Sequence, residues 1–238
     1  MRGQMGRLIE FMHDRMKPQS STEALHIAAF EGDLTRIEFL VNVKKNDVNT
    51  ELSTIMGASH RQTPLFLAIQ EGNIMAAKLL IELGAKIDLV NDIGITPLMS
   101  AASHGDIQSL KLLLSLGASP NFYRHSDGAS ALSFCMHADV NDNSKAEITD
   151  VLIEAGADVE LPQDKSQSVL MLAAREDLPK VVKTLLDAGA NPERKCTLKW
   201  AMDWTALDHA INEGSKGARE ILEPITEALP IARTGCVH

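Results

Sequence analysis

The chain has 238 residues, 45% of them apolar and 4% aromatic, and a formal net charge of −9. That charge excludes sequence-independent binding to nucleic acid, which needs clustered Lys and Arg, and adhesion to an anionic membrane surface. Three well-separated cysteines, Cys135, Cys196 and Cys236, form no CxxC pair. They exclude zinc-ribbon and thioredoxin-type motifs and fit a reducing compartment. The opening MRGQMGRLIEFMHDRMK lacks the continuous apolar stretch of a Sec signal, and TGCVH places Cys236 one residue short of a prenylation box. The expected location is cytoplasmic, or a host cell reached without a Sec signal.

Residues 1–19 carry Leu8, Ile9, Met12 and Met16 at helical spacing, which predicts a short amphipathic capping segment. From there the chain repeats itself. Leu65 in TPLFLAIQEGN, Leu98 in TPLMSAASHGD, Leu132 in SALSFCMHAD, Leu170 in SVLMLAAREDL and Leu207 in TALDHAINEG are 33, 34, 38 and 37 residues apart. Leu25 in EALHIAAFEGD opens the series 40 residues earlier. A second marker, Gly-Ala, stands at 84, 117, 156 and 189, each after a run such as AAKLLIELGA. Each unit predicts two short helices. Thr-Pro caps and opens the first, paired alanines allow close approach, and a Gly in left-handed backbone ends it. Ile107, Leu110, Leu113 and Leu114 show the apolar stripe of the second helix. At the end of the series, Pro224 predicts a short or kinked last helix.

The ordered T-P-L, A-A-x-x-G and L-L-x-x-G-A features resemble ankyrin repeats. The resemblance covers roughly residues 20–225 and implies an all-α solenoid of stacked helix-turn-helix units with β-turn or hairpin fingers. No helix pair buries its stripe alone, so one continuous 20–225 domain is expected, with repeats near 20–50, 60–92, 93–125, 127–163, 165–197 and 202–225 and a tail at 226–238.

The period breaks in three places. From the Leu marker to Gly-Ala takes 19 residues in the second, third and fifth units but 24 in the fourth. The extra residues are expected to lengthen the inter-helix turn at 138–143, with Ser144 and Glu147 as a capping box that starts the outer helix at Lys145 and turns Ile148, Val151 and Leu152 inward. Asp139, Asn141, Asn143, Glu147 and Asp150 also alternate as calcium-loop ligands do. However, Ser144 occupies the position that needs Gly, and Asp150 is shorter than the usual bidentate Glu. The second break adds seven residues within 44–62 and the third about four to the last finger, ERKCTLKWAMDWTAL. That finger holds Trp200 and Trp204, which read either as a binding hot spot or as packing on the last repeat and over Cys196.

Catalysis finds no support. His26 and His104 stand where ankyrin repeats often carry structural residues, and His209 follows Asp208 on a short helix, so the two point apart. Metalloprotease, nucleophile-elbow, Walker A and dinucleotide motifs are absent from the sequence. Cys135 takes a paired-alanine position, which implies a buried thiol. No cofactor or small-molecule substrate is expected.

The resemblance implies binding of a protein partner through a concave surface of fingers and inner helices, by a chain that is a monomer on its own. The positions it implies are Phe30 and Glu31; His60, Gln62, Gln70 and Glu71; Ile93, Ile95, Ser103 and His104; Asp127 and His137; Lys165, Gln167, Arg175 and Glu176; and Met202, Trp204 and Asn212. Arg61 in place of the usual finger Gly, and Asp139 and Asp177 where a helix-ending Gly is usual, depart from the pattern. Ile93 and Ile95 read as an apolar anchor or as finger-to-finger packing. The expected role is inhibitor, adaptor or recruiter. Two alternatives are a pathogen-encoded effector acting on a host protein and a metal-dependent or catalytic protein using the inserted loops.

Overall fold

The computed structural model describes residues 20–52, 61–161 and 167–228. The chain divides into two compact units, 1–93 and 94–238. Among the described residues every regular element is helical, and the fingers contribute two isolated antiparallel bridges, Leu52 with Gln62 and Tyr123 with Ser130.

The first unit holds α1 (Ser21–Glu31), α2 (Leu34–Glu38), which runs on as a π-helical turn (Phe39–Val43), α3 (Pro64–Gln70) and α4 (Ile74–Glu82). The inner helices α1 and α3 pack on each other, as do the outer helices α2 and α4. Thr63 caps α3 as its sequence predicts: its hydroxyl accepts the Phe66 amide, and Pro64 fills the first turn. The π turn is one residue inserted into the outer helix. Elsewhere the closing amide reaches back five residues, as from Ala118 to the Leu113 carbonyl, whereas Asn46 reaches back six to Leu40. Lys45 (φ +58°) then takes the left-handed position that Gly fills in later repeats. One of the seven extra residues of this interval therefore lies in α2. Others fall in 53–60, outside the described residues.

The second unit holds α5 (Pro97–His104), α6 (Ile107–Ser115), α7 (Ala131–Met136), α8 (Asp142–Glu154), α9 (Val169–Arg175), α10 (Pro179–Asp187), a 3₁₀ turn (Lys199–Ala201), α11 (Ala206–Glu213) and α12 (Lys216–Ala228). Inner helices stack in the order α5, α7, α9, α11, and outer helices in the order α6, α8, α10, α12. Marker leucines Leu98, Leu132 and Leu170 and the alanine pairs of α5 and α9 are buried. Burying each Leu side chain contributes about 1.5–3 kcal/mol, and the outer helices add buried Leu110, Leu113, Leu152 and Leu185 to the same core.

Two sequence expectations need correction here. The outer helix of repeat four does not start at Lys145 behind a Ser144–Glu147 capping box. It starts at Asp142, capped by Asn141, whose side chain accepts the Ser144 amide at 3.0 Å. α8 therefore has 13 residues where α6 and α10 have nine, and the turn before it shrinks to 137–141. Most of the five extra residues extend the helix rather than the turn. Ile148 and Leu152 do point inward, but Val151 is only half-buried. Lys145 is buried, and its ammonium donates to the Met136 carbonyl at 2.7 Å, closing the end of α7. The second correction concerns Pro224, and of the short or kinked helix expected there it touches only the length. α12 is not cut short, running through the proline to Ala228 with Ala218 and Leu222 buried.

Neighbouring repeats are joined by backbone capping across the stack. α10 has no side-chain cap of its own, and the Asp142 carboxylate supplies one, accepting the amides of Lys180 (3.1 Å) and Val181 (3.4 Å). Asp177, left-handed at φ +50° in place of Gly, accepts the Ala218 amide of α12 at 3.0 Å. Four residues after the helix-ending position, Asn49 binds the Gly84 carbonyl and the Lys86 amide. Asn121 repeats this on Gly156 and Asp158.

The sixth repeat departs from the pattern of the others. The second paired-alanine position is buried in the other five repeats, at Ala29, Ile69, Ala102, Met136 and Ala174, but Ile211 there is 50% exposed. On its outer helix Ala218 and Leu222 stay buried, and beside them stands the half-exposed Arg219–Glu223 ion pair.

Candidate protein-binding face

Within the second unit, fingers and inner helices build one surface. The finger before α7 folds on itself: the Arg124 amide donates to Ala129 and the Gly128 amide to Arg124. The Arg124 guanidinium grips Asp127 and lies 5.3 Å from the centre of the Phe134 ring. Its hydrogen bond holds the Asp127 carboxyl below its ordinary pKa, and the Asp127 carboxylate raises that of Arg124. Beneath this pair opens a groove of about 200 Å³ with an apolar floor of Phe134 and Leu172 and with His137 and Gln167 in its wall.

Gln167 connects this groove to a second cluster. Its side-chain oxygen accepts from Arg175 (2.9 Å), and its nitrogen lies 3.3 Å from His209 Nδ1. Arg175 is also paired with Glu176 at 3.0 Å. His209 is buried under both tryptophans, with ring centroids 5.7 Å from Trp200 and 5.2 Å from Trp204. The two indoles meet edge to face at 6.0 Å. The long last finger makes this possible: Cys196 and Trp204 pair amide to carbonyl at 2.8 Å, and the 3₁₀ turn between them raises Trp200, 57% exposed, above the surface.

Of the sequence-predicted contact residues, this surface brings together Asp127, His137, Gln167, Arg175, Glu176, Met202 and Trp204. Met202 is exposed, Trp204 half-buried and Gln167 buried. Asn212 is exposed at the end of α11, bonded to Glu213. On α5, Ser103 is half-buried and His104 exposed, both bonded to the Ser100 carbonyl, and Ile95 is half-buried. In the first unit, Gln62 is buried and engaged through its backbone. Phe30 and Gln70 are half-buried, and Glu31, Glu71 and Ile93 are exposed. His60 and Lys165 lie outside the described residues. Sequence reasoning missed Arg124, Phe134 and Leu172. Only the Arg124–Asp127 spacing carried a local signal, and Phe134 reads from sequence as one more inner-helix apolar residue.

The structure gives each calcium-like side chain another place. Asn141 caps α8, Asn143 binds Lys180, Glu147 pairs with Lys111 at 3.4 Å, and Asp139 and Asp150 are exposed, the latter on the helix itself. Among the described residues no group of three or more His, Cys, Asp or Glu could hold a metal ion. Burial pushes the Cys135 thiol up to about 11, the opposite of an activated nucleophile. Among the same residues no helix is long and apolar enough to cross a membrane.

Two histidines make stability depend on pH. His26, buried between the carbonyls of Thr22 (2.9 Å) and Gln62 (3.1 Å), has its pKa lowered by burial, against the pull of those carbonyls. His209 is lowered by burial first and by the Arg175 charge second, with Asp208 and Glu213 opposing. Both are neutral in the native state, so unfolding takes up protons just below the ordinary imidazole value. Stability is therefore greatest above about pH 6.5 and falls as pH drops from there toward the folded-state values. Urea unfolding at about pH 7.5 and about pH 5.5 measures this slope, and His209→Asn is expected to flatten it. An undiminished slope in that variant would refute the assignment to His209.

The family model described as ankyrin repeats (3 copies) matches residues 7–91, 25–124, 98–196 and 134–228. A curated Arabidopsis thaliana protein named putative E3 ubiquitin-protein ligase XBAT31 is 31% identical over 175 residues, which cover 73% of this chain. The match spans 31% of that relative's length. Ankyrin repeats are protein-interaction modules, and the chain belongs to the ankyrin-repeat family.

Proposed function

We propose that the chain is a non-catalytic binding module whose partner docks on the finger and inner-helix face of residues 94–238, and that it acts as a recruiter or adaptor. The observation that carries this is the continuity from the Arg124–Phe134 groove through Gln167 to the Trp200–Trp204 cluster. Large exposed apolar groups, Trp200 and Met202, stand beside an apolar groove and paired charges, the composition of an interface core with a polar rim. The likeness to a protein named putative E3 ubiquitin-protein ligase favours recruitment over inhibition, since ligation of ubiquitin requires a substrate protein to be brought in. The buried free thiols Cys135 and Cys196 suit the reducing cytoplasm.

The test is affinity capture from lysate, comparing the wild type with His137→Asp, Trp200→Asp, Ile93→Asp and, on the outer helix, Glu154→Lys. One specific protein should be captured by the wild type and Glu154→Lys and lost with His137→Asp and Trp200→Asp. Loss with Ile93→Asp would extend the face to the first unit. Equal capture by all variants would sink the proposal.

A further inference from the structure

Resting on this docking face, we propose that its repeat-six end recognises a basic side chain of the partner, a Lys or Arg held against the indoles of Trp200 and Trp204. The indole planes stand at 79° to each other with centroids 6.0 Å apart, so they form a corner rather than a flat stack. The ring face is the negative part of an indole, and Trp attracts cations more strongly than the other aromatics. Trp200 is 57% exposed and so offers ring surface to a ligand. The corner is braced from below, because His209 lies against both indoles and is itself buried.

The charges around the corner point the same way. Asp208 and Glu213 are close enough to act on His209, and Asp203 stands next to Trp204 in the finger. Arg175 acts on His209 more strongly than either carboxylate, but its guanidinium is tied to Glu176 and Gln167 on the side of the groove. The exposed finger lysines Lys195 and Lys199 are outnumbered by these three carboxylates, and the chain as a whole carries −9. An acidic partner segment would meet repulsion here, whereas a basic one gains both the ring faces and the surrounding field. Met202, exposed beside the corner, can cover the aliphatic stem of a bound Lys or Arg.

Trp200 and Trp204 are the only tryptophans in the chain, so indole emission reports on this corner alone. The full chain is titrated with a short glycine–serine peptide carrying lysines and a leucine, and with its counterpart in which glutamate replaces lysine. The lysine peptide should change the emission saturably and the glutamate peptide should not. Trp200→Leu, which keeps apolar bulk and charge but removes the ring, is read through the remaining Trp204. It should raise the Kd for the lysine peptide about fivefold, with Trp200→Phe between it and the wild type. A Trp200→Leu Kd equal to that of the wild type would mean attraction by net charge alone and would overturn the proposal. Equal binding of both peptides, or saturable binding of neither, would overturn it as well. In each of these cases, capture that still depends on His137 leaves the docking face standing and removes only its basic specificity.

Discussion

Gly105→Ala is expected to destabilise residues 94–238 by about 2–5 kcal/mol, from two separable causes. Gly105 ends α5 at φ +69°, where a side chain costs about 1–2 kcal/mol. A Cβ there would also stand 2.5 Å from Cγ1 and 3.2 Å from Cγ2 of Val140, in the turn between α7 and α8. No non-bonded pair of carbon atoms tolerates that distance, so the Val140 side chain or the turn that carries it must shift, and overpacking of this kind typically costs about 1–3 kcal/mol. Gly189→Ala supplies the comparison. Its φ is +90°, but a Cβ there meets nothing within 4 Å, so only the backbone cost of about 1–2 kcal/mol is expected. In Gly105→Ala/Val140→Ala the clash is relieved and the backbone cost remains, so the two substitutions should be coupled by about 1 kcal/mol or more. Denaturant unfolding of the wild type, Gly105→Ala, Val140→Ala, the double variant and Gly189→Ala measures it. Additive effects, or equal costs at Gly105 and Gly189, would show that Val140 does not seat on this glycine. The lengthened segment of repeat four would then lose the contact that fixes its turn.

The Val140 contact illustrates which parts of this fold are written locally. Thr63, Thr96 and Thr205 cap their helices within three residues of their own position, so T-P-L and its variants are legible from a single repeat. The left-handed glycines are equally local. The start of α8 is not. Asn141 and Ser144 are both competent caps, and the earlier one places Asp142 where its carboxylate closes the uncapped end of α10, nearly forty residues away in sequence. A reading confined to residues 133–150 sees only the competition between the two caps, and the partner that decides it lies in the next repeat. Pro224 is a similar case. The proline removes one amide from the ladder, but Leu222 and Ala218 are buried and Pro224 is exposed, so tertiary packing carries the helix past it. Among site residues, register positions placed His137, Arg175 and Met202 on the surface, whereas Gln167 is drawn inward. Its amide oxygen is held by Arg175 at the far end of the helix that follows it, and its nitrogen lies beside His209 of the next repeat, a contact that no pattern within repeat five announces.

Trp204→Ala should cost about 2–3 kcal/mol of stability, and Trp200→Ala about 0.5–1.5 kcal/mol, although the two residues sit four apart in one finger. The sequence left both as either hot spot or packing, and the geometry separates them. Trp204 is half-buried, its carbonyl holds the Cys196 amide at 2.8 Å, and its ring lies 5.2 Å from His209. Truncating it removes a large part of the cover over a buried imidazole, at somewhat less than the roughly 3–5 kcal/mol of a fully buried tryptophan. Trp200 has more than half its surface in solvent, and its packing is mainly the edge contacts to Trp204 and His209, which contribute about 0.5–1.5 kcal/mol as aromatic pairs. A second readout follows from the same geometry. Burial is the main cause of the lowered His209 pKa, so Trp204→Ala should let the imidazole titrate closer to its ordinary value, while Trp200→Ala should move it less. Chemical denaturation gives the first comparison and an NMR titration of His209 the second. Equal destabilisation by the two variants, with equal shifts of His209, would assign both rings to packing. Trp200 would then have no surface role left to account for its exposure. A large cost confined to Trp204 instead leaves Trp200 as a ring that the fold holds in place without depending on it, which is the property a recognition residue needs.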